Sequence, residues 1–125
     1  MAISKRVKEG GCYYKGHTLA VAASTGDYIL FMSISAGGCA INSLSAIPDK
    51  AGSGDSFKLE HVVGTTGSNV LATLGETIPN MGAGVPLNFD FMAMEKVVSG
   101  NSLKLTYTNV AATSLTVNVI VERGR

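Results

Sequence analysis

The residues that could carry catalytic or metal-binding chemistry are few and widely spaced. The histidines are His17 and His61, and the cysteines are Cys12 and Cys39. Zinc sites take three or four Cys, His or carboxylate ligands at short spacings such as C-x-x-C or H-E-x-x-H, and neither pattern occurs here. We therefore expect no metal and no other cofactor, and we interpret the two cysteines as buried thiols.

A nucleophile motif is suggested only by the segment 52–56, which reads G-S-G-D-S. The G-D-S block of one esterase family is similar, but it lies at a strand-to-helix transition with a histidine far downstream. No histidine follows His61, and no helical pattern follows Ser56. The segment is predicted to be a turn before a strand that begins at Phe57. No spacing selects a pair of carboxylates, and phosphate-binding glycine motifs are missing, so we expect a protein that is not an enzyme.

The composition is poor in charge for a small domain. Among 125 residues, 10 are Lys or Arg and 9 are Asp or Glu, which gives a net charge of +1 and a charged fraction of 15%. Soluble proteins average roughly 25% charged residues. Hydrophobic residues make up 46% of the chain, and the mean hydropathy is +0.27. Part of the surface is therefore expected to be buried against other subunits, in a homo-dimer or homo-trimer.

Neither a membrane nor a nucleic acid is expected as a partner. The longest uncharged stretch, residues 28–48, is interrupted by a glycine pair and several serines, unlike a membrane-spanning helix. The basic N-terminus is not followed by an apolar signal segment, so synthesis and folding in a cytoplasm are expected. The cluster of Tyr13, Tyr14, Lys15 and His17 lacks the wider basic surface that nucleic-acid binding requires.

Apolar residues recur mainly at every second position, and this period is typical of β-strands. Strands must therefore position these residues. Leu115, Val117, Val119 and Val121 alternate with Thr116, Asn118 and Ile120. Turn-forming residues recur about every 8–12 positions. The run 28–34 is apolar on both faces and is predicted to be a central or covered strand. We predict about eight strands, near residues 12–23, 28–36, 39–45, 56–64, 69–74, 86–95, 102–109 and 114–122.

This pattern predicts an all-β domain, a jelly-roll or related Greek-key β-sandwich. An immunoglobulin-like sandwich is the alternative, although the chain has no Trp and its two cysteines are close together in sequence. We predict a single sandwich domain over residues 12–125, preceded by a flexible, basic N-terminal arm over residues 1–11. The loop of residues 75–86, which is uncharged after Glu76, is either a subunit contact or an ordinary solvent loop.

The β pattern of residues 12–122, the arm and the ending Glu122-Arg123-Gly124-Arg125 together resemble small virion structural proteins of tailed bacteriophages, in particular capsid decoration (cement) proteins. The resemblance implies a virion protein, assembled in the host cytoplasm, that bridges neighbouring subunits of the major capsid protein or other virion subunits and so stabilises the shell. Lys5, Arg6 and Lys8 are the candidate partner-binding residues, as arm contacts to acidic capsid surface. The alternative function is a receptor- or glycan-binding module such as a tail-fibre tip.

Overall fold

The computed structural model describes residues 2–9, 14–34, 39–50, 54–64, 69–76, 87–97 and 101–124. These residues form strands and turns, and no helix long and apolar enough to cross a membrane occurs among them. The described strands are β1 (Ala2–Glu9), β2 (Tyr14–Val21), β3 (Gly26–Ile34), β4 (Cys39–Pro48), β5 (Ser56–Val62), β6 (Val70–Glu76), β7 (Leu87–Val97), β8 (Ser102–Asn109) and β9 (Leu115–Gly124).

The strands form two sheets with the topology of a jelly roll. One sheet has the order β1-β3-β8-β5-β6, and the other has the order β2-β9-β4-β7. Strand β2 pairs with β9, β3 with β8, β4 with β7 and β5 with β6, all antiparallel. Among strands β2 to β9, the first thus pairs with the last, the second with the second to last, and so on inward. This is the pairing of one long hairpin of eight strands that has folded into two sheets. The predicted all-β sandwich is confirmed, and each predicted strand is found within a few residues of its expected position.

The core lies between the two sheets and follows the alternation in the sequence. In β9, Leu115, Val117, Val119 and Val121 are buried, whereas Asn118 and Ile120 between them are exposed. Each fully buried aliphatic or aromatic side chain stabilises the fold by about 1.5–3 kcal/mol relative to an exposed one. The largest buried side chains are Tyr28, Tyr107, Phe57, Leu30, Met32, Leu44, Leu59, Leu103 and Leu105.

The N-terminal segment differs from the predicted flexible arm. Residues 2–9 form β1, which pairs in parallel with β3 along its whole length, from Ala2 opposite Asp27 to Glu9 opposite Ile34. The physical reason is the edge of β3, whose backbone N–H and C=O groups need hydrogen-bonding partners. Strand β3 is therefore an internal strand, as the apolar run 28–34 predicts, and even Phe31, on the side opposite Leu30, is buried.

The connections β2–β3, β4–β5 and β8–β9 meet at one end of the sandwich. The register places Val21 opposite Leu115, Gly26 opposite Asn109 and Ser56 opposite Thr108. We call this region the Asp55 end, and it comprises the described residues 22–25, 49–50, 54–55 and 110–114. The predicted contact loop near residues 75–86 lies almost entirely outside the described residues.

Candidate functional site

The histidines do not form a catalytic or metal-binding group in the described part of the chain. His17 in β2 lies opposite Val119, whereas His61 in β5 lies opposite Leu103, in the other sheet. Both side chains are buried, and His61 Nε2 lies 3.5 Å from Asn101 Nδ2. Among the described residues, no group of three or more His, Cys, Asp or Glu could hold a metal ion. Cys39 begins β4, and Cys12 lies outside the described residues.

The most organised polar group in the described structure is the carboxylate of Asp55, which is completely buried. Its Oδ1 accepts hydrogen bonds from the backbone N–H groups of Val110 (2.7 Å) and Ala111 (3.1 Å), and its Oδ2 accepts one from the Tyr107 hydroxyl. A buried carboxylate is tolerated only when donors compensate for its lost hydration. Asp55 therefore fixes the start of the β8–β9 loop from beneath.

Tyr107 connects this carboxylate to the core. Its ring packs edge-to-face on Phe57, with ring centroids 5.0 Å apart. Burial raises the pKa of the Tyr107 hydroxyl well above its ordinary value, and the hydrogen bond to Asp55 and the negative charge of Asp55 raise this pKa further. The hydroxyl thus stays protonated and donates to Asp55 throughout the physiological pH range.

Asn109 ties two loops of the Asp55 end together. Its buried amide donates to the backbone carbonyls of Ala22 (3.0 Å), Ser24 (3.1 Å) and Thr113 (3.2 Å). Its Oδ1 accepts from the Thr113 backbone N–H at 3.4 Å. The β2–β3 and β8–β9 loops are therefore held in one fixed relation, with both ends of the turn 110–113 secured.

Between these anchors the β8–β9 loop presents an apolar tip. Val110 is 56% exposed, and Ala111 and Ala112 are exposed beside it. Ala112 has φ of 55°, in the left-handed region that residues other than glycine seldom adopt. Gly54, at φ +85°, lies beneath Val110, where a Cβ would be 3.7 Å from Val110 Cγ1. The loop is thus an exposed apolar surface in a backbone conformation imposed by buried polar groups.

A concave surface lies on the outer face of the sheet that contains β5 and β8. It encloses about 370 Å³. At its floor, the buried carboxylate of Glu60 lies 3.8 Å from the ammonium groups of Lys58 and Lys104. Asp27 accepts a hydrogen bond from Thr108 Oγ1 at 2.9 Å on the same face. The described charges of this groove balance, two positive against two negative, so it offers no net field to a charged ligand.

The residues predicted to bind a partner occupy β1. Lys5 is opposite Leu30, Arg6 is opposite Phe31 and Lys8 is opposite Ser33. Their backbone thus belongs to a sheet instead of a free arm, and their side chains lie outside the described part of the structure. Their role in binding stays a prediction.

Sequence reasoning missed Asp55 and Asn109. The sequence pattern predicts only a turn at Asp55 and the end of a strand at Asn109. Asp and Asn are frequent in turns because their side chains accept hydrogen bonds from nearby backbone N–H groups. This preference is the only feature of the sequence that indicates a structural role for either residue. It does not show that Asp55 reaches a loop 55 residues away.

Comparison with known proteins shows the fold and corrects the predicted function. The chain matches no protein-family model, and no curated protein matches it. Among solved structures it is similar to PliG from Aeromonas hydrophila, a periplasmic inhibitor of g-type lysozyme, with 7% sequence identity and a TM-score of 0.50. The alignment covers 99% of this chain and 100% of that chain. At this identity the likeness shows a shared β-sandwich fold.

The predicted function, a capsid decoration (cement) protein, is wrong on this comparison. PliG, a solved structure that shares the fold, is an inhibitor of an enzyme and not a virion protein, and this finding overturns the predicted function. The predicted virion location and the capsid partner, which followed from the resemblance to virion proteins, are not tested by it.

Proposed function

We propose that this protein is a non-catalytic binding protein that recognises a protein partner with its Asp55 end, with the 110–113 loop at the centre of the contact. The observation that carries this proposal is the rigid apolar tip. Val110 is 56% exposed, although buried Asp55 and buried Asn109 hold the backbone on either side of it.

Preorganisation is the physical advantage of such a loop. A flexible loop loses conformational freedom when it binds, which costs about 0.5–1.5 kcal/mol for each side chain that becomes ordered. Here the hydrogen bonds to Asp55 and Asn109 order the loop in the free protein. Strained backbone of the kind seen at Ala112 is concentrated at binding sites, where the surrounding structure enforces it.

The size and chemistry of the tip favour a protein surface over a small molecule. Val110, Ala111 and Ala112 are all exposed, and their short side chains allow the loop backbone to approach a partner closely. Insertion of this tip into a cleft of a partner protein would remove its apolar surface from water, which favours the contact.

A narrower form of the proposal is inhibition of a lysozyme. It is supported by the shared fold with PliG, an inhibitor of g-type lysozyme. A convex, rigid loop is also suited to enter the cleft of a glycan-cleaving enzyme.

The test combines one loop variant with a matched control. Val110→Asp places a charge at the tip, and Val63→Asp places the same charge at a valine 39% exposed at the opposite end of the sandwich. Binding to g-type lysozyme is measured by isothermal titration calorimetry, and inhibition is measured by lysis of bacterial cell walls. We expect Val110→Asp to weaken binding at least about tenfold, or ~1.4 kcal/mol, and Val63→Asp to leave it unchanged.

The two levels of the proposal fail separately. If the wild-type protein neither binds nor inhibits g-type lysozyme, the narrower form is rejected. If hydrogen exchange shows that the amides of Val110 and Ala111 exchange as fast as those of an unstructured peptide, the loop is not preorganised and the broader form is rejected as well.

A further inference from the structure

The outer face of the second sheet carries little charge on β2, β9 and β4, where the structure describes its side chains. On strands β2, β9 and β4, the outward residues are neutral except one, Glu122, among the side chains that the structure describes there. The described outward residues are Gly16, Thr18, Ala20, Thr116, Asn118, Ile120, Glu122, Ser43, Ser45 and Ile47. The outer face of the first sheet, by contrast, carries Asp27, Lys58, Glu60 and Lys104.

A protruding side chain and a hollow lie next to each other on this outer face of the second sheet. Ile120 is 43% exposed and stands between Gly16 of β2 and Ser45 of β4, its register neighbours. Because Gly16 has no side chain, a hollow of about 390 Å³ opens beside Ile120, lined by Gly16, His17, Thr18, Asn118, Val119 and Ile120. The isoleucine and the hollow are within one strand spacing of each other.

We propose that this face binds a second copy of the chain about a two-fold axis, with Ile120 of each copy seated in the hollow at Gly16 of the other. A two-fold interface requires a surface that is complementary to itself. An adjacent protrusion and hollow satisfy this requirement, since the rotation exchanges them. The near absence of charge on the described part of the face also means that few like charges meet across the axis.

The area of this face reaches the lower limit for a specific interface between two copies. Four strands spaced ~4.8 Å apart, with about eight residues each at ~3.3 Å, give a face of roughly 500 Å² per copy, or about 1,000 Å² for two copies, near the lower limit for specific interfaces. Burial of this face also accounts for the low charged fraction of 15%. The interface is separate from the Asp55 end, so the inference does not depend on the proposed function, and a dimer would present two such ends.

The test is the molar mass of the full chain by multi-angle light scattering and sedimentation equilibrium over a concentration series. We expect a dimer. Ile120→Asp removes the protruding side chain and places two carboxylates near the axis. Gly16→Val fills the hollow, and its Cβ fits the monomer, because a Cβ at Gly16 would meet the carbonyl oxygen of Val119 at 3.9 Å, an ordinary contact. Each variant is expected to raise the dimer dissociation constant by about 30-fold or more.

A matched control excludes a general effect of exposed charge. Leu71→Asp changes an aliphatic residue that is 55% exposed on β6, in the other sheet, and it should leave the dimer intact. Far-ultraviolet circular dichroism confirms that each variant is folded. A wild-type protein that is monomeric at every concentration overturns the proposal. So does a trimer, or a dimer that persists in both folded variants.

Discussion

The carboxylate of Asp55 accepts a 2.7 Å hydrogen bond from the backbone N–H of Val110, at one end of the sandwich. Asp55 lies just before β5, and Val110 lies just after β8. A completely buried charge thus determines the position of a valine that is 56% exposed. The exposed loop takes its shape from the core beneath it, and this relation underlies the predictions on stability.

Substitution of Asp55 should be among the more destabilising changes outside the apolar core. Asp55→Ala leaves two backbone N–H groups and the Tyr107 hydroxyl without their acceptor, so we expect a loss of about 3 kcal/mol in the free energy of unfolding. Asp55→Asn keeps one carbonyl oxygen and should cost about half as much. Asp27→Ala removes an acceptor from one exposed hydrogen bond and should cost under about 1 kcal/mol. Urea denaturation measures all three, and equal losses for Asp55→Ala and Asp27→Ala would contradict the buried role.

Tyr107 predicts how stability depends on alkaline pH. Because its pKa is raised in the folded state, the hydroxyl holds its proton in the folded protein at pH values where the unfolded chain has released it. The contribution of the protonated Tyr107 hydroxyl to the free energy of unfolding is therefore complete below pH ~10, the ordinary tyrosine pKa. It is lost progressively as the pH rises above that value. Tyr107→Phe should be less stable at neutral pH but should lose less free energy of unfolding between neutral and alkaline pH. Parallel pH curves for the two proteins would show that Tyr107 does not titrate differently on folding.

Ala112 should respond to glycine and to valine in opposite directions. Its φ of 55° suits glycine, so Ala112→Gly should leave stability unchanged or raise it by up to about 1 kcal/mol. Ala112→Val places a β-branched residue in the left-handed region and should destabilise the fold by about 1–2 kcal/mol. The control is Ala111→Gly at the neighbouring exposed position, where glycine should cost about 0.5 kcal/mol. Thermal and urea unfolding of the three variants test this order.

Much of this fold is readable from the sequence, because its strands carry their burial pattern locally. Val117, Val119 and Val121 recur at every second position, which predicts one buried face, and the structure buries these residues completely. The apolar run 28–34 likewise predicts a strand covered on both sides, and β3 is internal. Local alternation is sufficient here because the side-chain period of a strand is two residues.

The features that sequence reasoning missed depend on contacts between distant segments. The basic residues Lys5, Arg6 and Lys8 make the first segment resemble a solvated arm, yet its backbone pairs with β3, more than twenty residues later. Asp55 meets Val110 only because β5 and β8 are neighbours in the sheet. Neither pairing leaves a local periodicity, so composition alone could identify neither the added strand nor the rigid loop.

The ion pairs of Glu60 should contribute unequally to stability. Glu60 lies 3.8 Å from both Lys58 and Lys104, but the Lys104 side chain is 19% exposed and the Lys58 side chain is 45% exposed. Water and salt screen the more exposed pair more strongly. Lys104→Met should therefore lower the free energy of unfolding by about 1 kcal/mol, and Lys58→Met by less than half of that.

Double-mutant cycles with Glu60→Gln isolate each pair, because they cancel the other effects of each substitution. Raising the salt concentration should reduce both coupling energies. The reduction should be larger for the Lys58–Glu60 pair than for the Lys104–Glu60 pair. A larger coupling energy for Lys58 than for Lys104 would contradict the argument from burial.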